Sequence, residues 1–570
     1  MAGHQSLEPV EEGHAPAWSH DADLEGQGSC ARVVPCGSVP ARRAGARAPS
    51  RTGREKLATS AFEEELWRLW YDLTSPHLFH LRDFWRMMRP MSSIVGRDRE
   101  RKTLAEVLAS DKPELVAVYG RRRVGKTFLV RQVYDQDIVF ELVGSHDESR
   151  ATQLRAFAAA LRRAIGSPAP LAAPDDWPHA FEVLTEYLAP LLRKSRRKRV
   201  VFFDELPWLA TPRSGFLAAF EHFWNAWAST QPRLAVVICG SAASWMLRNV
   251  IQQRGGLHNR VTRRVRLDPF SLREAEQLLA AAGVHLGRYQ TLQLYMALGG
   301  VPHYLAQVER GQSAAQAIDR LCFDRGAPLR DEYRTLYGAL FTKPERHEAV
   351  IRALASRRRG LTRFELLEAA GMDTGGAATK VIDELIESGF VMTAPQMGHA
   401  KRDMIYRLAD PYSLFYLRFI EGHRGAGEGA WLKKHRSPAY RAWCGLTFEA
   451  ICLTHVHGIL RALGIHGVET EVSAWHHVAH EPGERGAQID LVIDRADQTI
   501  NLCEMKFAEA EYTIDEAYAA ELREKRATFE RVTRTKKAIL LTLVTTYGVR
   551  ENAHAQSLGV SSVTMDALFA

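Results

Sequence analysis

The sequence predicts an α/β fold, and three stretches of the chain carry this prediction. A short apolar run, 115–119, is followed by the glycine-rich segment 120–127 and then by a helical pattern over 128–134. A second apolar run, 200–203, ends in two acids, and a third, 234–241, ends in a serine. Strands that alternate with helices in this way build a parallel sheet with helices on both faces. The sequence therefore predicts a doubly wound sheet in the first half of the chain.

The bulk composition is that of an ordinary globular protein of several domains. The chain has 570 residues, a net charge of +8, 46% apolar residues and 25% charged residues. The seven cysteines are scattered without a C-x-x-C pair, which argues against a zinc knuckle and predicts a reducing, cytoplasmic location. No apolar run approaches the length of a membrane span, so no membrane partner is expected.

Residues 1–90 contain no recognisable motif. The first 56 residues are rich in Gly, Ala, Pro and Arg and show no period, which predicts disorder. Met87, Met88 and Met91 stand just before the first recognisable motif. A second hypothesis is therefore that translation starts at one of these methionines and that the extension is not part of the protein.

Segment 120–127 has the form G-x-x-x-x-G-K-T and is predicted to bind a polyphosphate. Its residues are Gly120, Arg121, Arg122, Arg123, Val124, Gly125, Lys126 and Thr127. The glycines let backbone N–H groups turn inward around phosphates, and the start of the following helix adds positive potential. Lys126 is expected to reach the β- and γ-phosphates and Thr127 to bind Mg²⁺. The flanking strand and helix set the segment apart from a chance match, so ATP and Mg²⁺ are the expected ligands.

Two further positions complete the predicted nucleotide site. The apolar run 200–203 ends in Asp204 and Glu205, an arrangement in which Asp204 holds Mg²⁺ and Glu205 polarises the attacking water. The run 234–241 delivers Ser241 at its carboxyl end, where a doubly wound sheet places its ligand contacts. Ser241 is therefore a candidate contact to the γ-phosphate.

Short helices and two strand-like runs follow from residue 344. We expect helices over 347–356, 362–370 and 377–388, and strands over 390–394 and 404–408. Three helices and a hairpin make a winged helix-turn-helix. Thr379 and Lys380 at the start of the third helix fit a DNA-reading role, whereas Asp383, Glu384 and Glu387 favour a structural or protein-contact role. Both uses stay open.

Two β-type runs, 488–494 and 500–507, form a second candidate site. A hairpin in which position 494 pairs with 500 places Asp490 directly opposite Glu504, with Cβ atoms roughly 5 Å apart. Facing carboxylates repel each other unless a cation lies between them, and Mg²⁺ is the simplest cation that binds oxygen ligands. Lys506 shares the face of Glu504 and can activate water or stabilise the charge of a phosphate.

This D-x13-E-x-K arrangement resembles the PD-(D/E)xK core of the restriction-endonuclease fold. The resemblance implies one more acid on a preceding helix, where Glu449 stands, and a basic helix that carries Tyr518, Arg523 and Lys525. It implies a Mg²⁺ ion held by Asp490 and Glu504, and phosphodiester cleavage by Glu449, Asp490, Glu504 and Lys506.

Other segments resemble AAA-like and STAND-type NTPases. Segment 94–100, I-V-G-R-D-R-E, is similar to the F-V-G-R-x-x-E motif of that class, and segment 299–305 is similar to the G-G-x-P-x-Y-L signature of its helical lid. The block 257–260 resembles an L-Y-G-R motif, which implies that Arg260 is an arginine finger; a basic loop outside any active site is the alternative. Together, residues 94–570 resemble prokaryotic, largely archaeal-type P-loop ATPases with a C-terminal DUF234 domain.

The predicted organisation has five parts. They are an extension, 1–90; a P-loop ATPase core, 91–285; a helical lid, 286–343; a winged helix-turn-helix, 344–420; and a C-terminal restriction-endonuclease-like α/β domain, 421–570.

Two functions of different classes fit this organisation. In the first, ATP binding rearranges the lid and the winged helix and so permits metal-dependent cleavage of DNA. In the second, the protein is a nucleotide-driven switch that binds DNA or protein without cutting. DNA is the expected partner, and a homo-oligomer or a protein partner is compatible with both functions.

Overall fold

The structure of the chain is a computed structural model. It describes residues 94–570 except for 253–256, 258, 342, 358–359, 399–402, 423–426, 428, 435–436 and 480–485. All described residues belong to one compact unit, 80–570. The predicted extension, 1–90, lies outside the described residues.

Five parallel strands form the first sheet, in the order β2-β3-β4-β1-β5. They are β1 (Glu114–Tyr119), β2 (Ile138–Val143), β3 (Arg199–Asp204), β4 (Leu234–Gly240) and β5 (Arg263–Arg266). The predicted α/β sheet is confirmed. β5 was not expected as a strand, because Val265 is its one apolar residue and it forms an edge of the sheet beside β1.

Helices cover both faces of this sheet. They are α1 (Asp98–Ala109), α2 (Lys126–Val133), α3 (Arg150–Ile165), α4 (Trp177–Lys194), α5 (Leu206–Leu209), α6 (Phe216–Ala226) and α7 (Ala243–Met246), the last continued by a π-helical turn, Leu247–Ile251. Leu115 and Ala117 of β1 pack into one apolar core, whereas Val116 and Val118 pack into another. This alternation buries both faces, as expected of a parallel sheet between helix layers.

A helical region follows the first sheet. It contains α8 (Leu272–Ala281), α9 (Arg288–Leu298), α10 (Pro302–Leu305), α11 (Ala314–Cys322) and α12 (Glu332–Leu340). Ser271 and Glu274 form a reciprocal capping box that fixes the start of α8.

The next segment contains three helices and a two-stranded antiparallel hairpin. Its elements are α13 (Pro344–Ala355), α14 (Arg363–Ala369), α15 (Gly376–Glu387), β6 (Val391–Pro395), β7 (Met404–Leu408) and α16 (Pro411–Phe415), and the π-helical turn Tyr416–Ile420 follows. Glu384 of α15 pairs with Arg248, just after α7, and with His347 of α13. One side of α15 is therefore covered by other parts of the protein, while Lys380 near its start is exposed.

The second sheet is mixed, with the strand order β12-β11-β10-β9-β8. Its strands are β8 (Thr470–His477), β9 (Ala487–Arg495), β10 (Thr499–Lys506), β11 (Ala538–Thr545) and β12 (Ser561–Thr564). The helices of this part of the chain are α17 (Ala430–Lys434), α18 (Pro438–Thr454), α19 (Val456–Ala462), α20 (Glu516–Thr533) and α21 (Ala553–Leu558), and a 3-10 turn, Met565–Phe569, follows β12. β9 pairs antiparallel with β10, and Ile500 faces Asp494 as predicted. β11 and β12 continue the sheet in parallel.

One continuous apolar core extends from Phe270 to Phe569. It includes buried side chains of the helical region, of the segment with the hairpin, and of the second sheet. These parts are therefore packed against one another through shared buried surface. In the described part of the chain, no helix is long and apolar enough to cross a membrane.

Two helical glycines test this packing as a matched pair. A Cβ atom on Gly458 of α19 would lie 2.0 Å from the backbone oxygen of Ala567, whereas a Cβ on Gly445 of α18 would meet nothing within 4 Å. We expect Gly458→Ala to destabilise the fold by about 1–3 kcal/mol through overpacking. We expect Gly445→Ala to stabilise it by about 0.5–1 kcal/mol, because alanine is the better helix former. Thermal unfolding followed by circular dichroism measures both, and equal shifts in the two variants would contradict the packing of α19 on the C-terminal turn.

Candidate functional sites

The glycine-rich segment 120–127, here called the phosphate loop, turns tightly between β1 and α2. Gly120 has φ 148°, and a Cβ there would lie 2.1 Å from the backbone oxygen of Leu267, so a side chain has no room. Gly125 has φ 90° and caps α2, and a Cβ there would meet nothing within 4 Å. The first amides of a helix have no partners within the helix, so the loop presents N–H donors to open space. This is the geometry of an anion site.

Lys126 is buried inside the curve of the loop. Its Nζ donates to the carbonyl oxygens of Gly120 and Arg121, both at 2.9 Å, and to Ser241 Oγ at 3.3 Å. A phosphate would offer charged acceptors to the same ammonium group, and charge-assisted hydrogen bonds are stronger than those to neutral carbonyls.

Thr127 and Asp204 meet at the carboxyl end of β3. Thr127 Oγ1 donates to Asp204 Oδ2 at 2.7 Å. Burial, followed by the charge of Glu205, raises the pKa of the Asp204 carboxyl. A divalent cation at this point would favour the ionised carboxylate, and hydroxyl and carboxylate oxygens are ligands that Mg²⁺ accepts beside a triphosphate. The residues therefore fit a magnesium ion.

Glu205 is held by Ser241. Glu205 has φ 50° and begins α5, and its carboxylate accepts hydrogen bonds from the N–H of Ser241, at 3.0 Å, and from the Ser241 hydroxyl. Because Ser241 also contacts Lys126, it links the two groups across the end of β4. Its predicted contact to a γ-phosphate stays a prediction.

The three arginines of the loop direct their side chains away from the loop interior. Arg121 is buried and pairs with Asp410 at 2.7 Å, Arg122 lies over the ring of Trp208, and Arg123 pairs with Glu332 at 2.9 Å. Their backbone amides remain part of the loop, and Val124 is buried in the core beneath it. The predicted contact of these four residues to a nucleotide therefore concerns their backbone.

Arg260 lies exposed in the turn before β5, where its N–H donates to the carbonyl of Leu257 at 3.0 Å. This position leaves the arginine-finger role as a prediction.

Arg97 is a buried contact of the loop that sequence reasoning did not single out. Its Nη2 donates to the carbonyl oxygens of Asp268, at 2.6 Å, and Val124, at 3.3 Å, and its guanidinium lies 4.6 Å from the centre of the Phe270 ring. It ties the phosphate loop to the connection between β5 and α8. The one feature of the sequence that could have indicated a role for Arg97 is its position in the motif 94–100.

The second candidate site, here called the acidic site, consists of Glu449, Asp490 and Glu504 with the cations Lys506 and Lys525. α18 supplies Glu449, β9 supplies Asp490, β10 supplies Glu504 and Lys506, and α20 supplies Lys525. Burial, followed by the negative charge of Asp490, raises the pKa of both glutamates. The structure thus brings the four predicted residues of this site together.

Glu504 is buried, and two lysines contact it on one side. Its Oε2 lies 2.8 Å from Lys525 Nζ, 3.5 Å from Lys506 Nζ and 3.5 Å from the hydroxyl of Tyr518. Its Oε1 is buried without a hydrogen-bond partner. Burial, followed by the charge of Asp490, raises the pKa of Glu504 to about 7. Arg523, expected beside this site, instead donates to Ser557 Oγ at 3.1 Å.

Asp490 lies just beyond the paired part of the hairpin, so the expected backbone pair of Asp490 with Glu504 is not formed. The paired residues of β9 and β10 end at Leu491 and Cys503, and Asp490 Oδ2 accepts a hydrogen bond from the N–H of Met505 at 2.9 Å. The side chain of Asp490 therefore connects β9 to β10 beyond the last pair of backbone-bonded residues. Lys506 extends past this point, partly exposed, with its Nζ 5.0 Å from the centre of the Tyr518 ring.

Glu449 has a partner that the sequence did not reveal. Its carboxylate forms an ion pair with Arg407 of β7, and the two side chains are 15% and 9% exposed. Burial, followed by the charge of Asp490, raises the pKa of Glu449 to about 7 even beside this arginine. Arg407 was missed because it precedes Glu449 by more than forty residues in a segment predicted to belong to another domain.

The acidic site fits a divalent cation through two carboxylates. In the part of the chain that the structure describes, no group of three or more His, Cys, Asp or Glu side chains is placed to hold a metal ion. Mg²⁺ commonly takes one or two carboxylates and completes its shell with water and phosphate oxygens. A bound divalent cation would give the unpartnered Oε1 of Glu504 a partner and would favour the ionised form of this carboxyl, whose pKa is raised.

Comparisons with known proteins agree with the first site. Residues 94–308 match a family described as an ATPase domain predominantly from Archaea. The chain is similar to an uncharacterized protein of Methanocaldococcus jannaschii, with 22% identity over 402 residues, 70% of this chain and 83% of that protein.

Similar solved structures include the Walker-type ATPase of Pyrococcus abyssi (18% identity, TM-score 0.41, 57% of this chain and 96% of that chain). The ORC2 protein of Aeropyrum pernix has 14% identity and a TM-score of 0.36, covering 60% of this chain and 96% of that chain. Cdc6p from Pyrobaculum aerophilum has 14% identity and a TM-score of 0.29, covering 60% and 95%.

The strand, phosphate loop and helix, with Asp204 at the end of β3, define a P-loop ATPase.

The raised pKa of Glu504 gives a pH test in metal-free protein. The usual glutamate value is 4.5 and the folded value is about 7, so the stabilisation from this group is full below pH 4.5 and is lost as the pH rises towards 7. We therefore expect Glu504→Gln to gain melting temperature relative to wild type as the pH rises from 4.5 to 7. The measurement is thermal unfolding in EDTA across that range. The exposed Glu509→Gln is the matched control, and a Glu504→Gln difference that stays constant with pH would show that Glu504 is not in the environment described.

Proposed function

We propose that the protein is an ATPase of the AAA/STAND type in which the nucleotide controls a metal-dependent, nuclease-like domain that acts on DNA. The ATPase core comprises residues 91–285 and the helical lid 286–343. A winged helix-turn-helix over 344–420 connects them to a PD-(D/E)xK domain over 421–570.

At the phosphate loop, backbone amides and Lys126 bind the triphosphate. Thr127 and Asp204 would hold Mg²⁺, which neutralises phosphate charge when bound. Glu205, oriented by Ser241, takes the role of positioning and polarising the attacking water. Arg260 is the candidate for stabilising charge on the phosphate, within its own subunit or on a neighbouring one.

At the acidic site, the observation that supports cleavage is the environment of Glu504. The buried carboxylate of Glu504 has one unpartnered oxygen, is affected by the charge of Asp490, and contacts Lys506 and Lys525. Asp490 and Glu504 would hold Mg²⁺, which supplies Lewis-acid activation of a phosphodiester. Lys506 orients water and stabilises charge on the phosphate, and Lys525 fixes the orientation of Glu504.

A nucleotide-driven switch that does not cut is the second candidate. The ion pair between Arg407 and Glu449 favours it, because it occupies the acid that the nuclease resemblance assigns to the site. The partly covered third helix, α15, also supports a structural or protein-contact role for the segment with the hairpin.

Nucleotide binding is tested by Lys126→Ala. Removing the ammonium group should lower the rate of ATP hydrolysis by on the order of 10²-fold and weaken nucleotide binding, because the phosphates lose their buried cation. Phosphate release and the binding of a fluorescent ATP analogue measure the two effects. Lys102→Ala, on the exposed side of α1, is the control; equal activity in both variants would rule out the phosphate loop as the ATP site.

Cleavage is tested with supercoiled plasmid, Mg²⁺ and ATP. The wild type should nick or linearise the plasmid, and Lys506→Ala should lose this activity because the phosphate loses its neighbouring cation. Lys536→Ala, an exposed lysine of the same domain, should cut like the wild type. If the wild type does not cut in any nucleotide state, the non-cutting switch replaces the nuclease.

A further inference from the structure

Arg121 of the phosphate loop forms a fully buried ion pair with a residue far along the chain, Asp410. Arg121 Nη1 lies 2.7 Å from Asp410 Oδ1, and the two side chains are 1% and 2% exposed. The Arg121 guanidinium also lies over the ring of Phe390, with 4.5 Å to its centre. Asp410 in turn accepts hydrogen bonds from the N–H and hydroxyl of Ser413, at 2.9 and 2.6 Å, and so caps α16. The loop is therefore fastened to the chain just after the hairpin.

The same short segment reaches the acidic site. Arg407, three residues before Asp410, forms the ion pair with Glu449. β7 pairs with β6, and Tyr406 also pairs with Leu361, so Arg407 is carried by a hydrogen-bonded element rather than by a free loop. Segment 407–410 thus contacts the phosphate loop at one end and the acidic site at the other.

Both ion pairs are incompletely satisfied. Nε and Nη2 of Arg121 and Nε of Arg407 are buried without hydrogen-bond partners. Buried donors without partners are costly, so an arrangement that offers these arginines further acceptors competes with the one observed.

We propose that segment 407–410 couples the phosphate loop to the acidic site, with Arg407 acting as an internal cation that occupies Glu449 until a nucleoside triphosphate binds. This inference rests on the proposed function, because it assigns a regulatory element to the acidic site. Arg121, Asp410 and Arg407 are positioning residues in this account.

The triphosphate acts through charge. In the structure, Lys126 donates to the carbonyl oxygens of Gly120 and Arg121, so the ammonium group holds the loop closed on itself. A polyphosphate takes over Lys126, so the ammonium group releases the carbonyl oxygen of Arg121. The backbone at Arg121 can then shift, which weakens the buried pair of its side chain with Asp410. Weakening the Arg121–Asp410 pair frees segment 407–410, and Arg407 leaves Glu449. The acidic site then gains its third carboxylate for a cation or a water.

Thermodynamic linkage makes this coupling measurable without cleavage. If the nucleotide favours release of Arg407, then a protein in which the Arg407–Glu449 pair is already absent binds the nucleotide more tightly. The measurement is the dissociation constant of a fluorescent, non-hydrolysable ATP analogue bound to the full-length protein.

Arg407→Met and Glu449→Gln break the pair from its two ends and should each tighten analogue binding by about fivefold or more. Arg352→Met removes a different ion pair, that of α13 with Glu421, and should leave the dissociation constant unchanged. Asp410→Asn should also tighten binding of the analogue, because it breaks the link to the phosphate loop. The double variant Asp410→Asn/Arg407→Met should have the same dissociation constant as Asp410→Asn alone.

Thermal unfolding followed by circular dichroism identifies any variant that fails to fold. If Arg407→Met does not fold, Glu449→Gln provides the test, because it breaks the same ion pair from the other end. Dissociation constants equal to that of wild type in Arg407→Met and Glu449→Gln would overturn the coupling. Plasmid cleavage by the wild type is measured separately. Tightened binding without cleavage supports the coupling and removes the nuclease, whereas cleavage with unchanged binding supports the nuclease and removes the coupling.

Discussion

A charge buried in a protein must be paired, and both candidate sites are arranged by that requirement. Lys126 donates to carbonyl oxygens of its own loop, Asp204 accepts from the hydroxyl of Thr127, and Glu504 accepts from Lys525. Where pairing is incomplete, a ligand can complete it. The unpartnered oxygen of Glu504 and the raised pKa of Asp204 therefore mark the places where a cation would be most useful.

The parts of the fold that depend on local sequence could be predicted. The strand, loop and helix around Lys126 need only neighbouring residues, and the register of β9 with β10 follows from a short turn, so Ile500 faces Asp494 as expected. β5 could not be predicted, because one apolar residue among arginines carries almost no strand signal.

Long-range partners were beyond sequence reasoning. Arg97, Arg121 and Arg407 each find a partner more than 25 residues away, and no periodicity or motif connects the two members of such a pair. The acids of the acidic site were predicted because two of them share a hairpin. The arginine that pairs with Glu449 comes from a different segment, and only the folded chain brings the two together.

The continuous core from Phe270 to Phe569 gives the coupling a mechanical basis. It joins the segment with the hairpin to the second sheet, and parts that share buried apolar surface transmit a shift from one to the next because close-packed interiors yield little. The phosphate loop packs into another core and is joined to this one through the Arg121–Asp410 pair. The predicted limits near 285, 343 and 420 lie within this one apolar core and stay predictions.

The most direct measurement is anomalous X-ray diffraction from crystals grown with Mn²⁺ and a non-hydrolysable ATP analogue. Two manganese peaks are predicted, one beside Thr127 and Asp204 and one between Asp490 and Glu504. A single peak at the phosphate loop, with none between the two acids on β9 and β10, would contradict the account of two phosphate-handling sites in one chain.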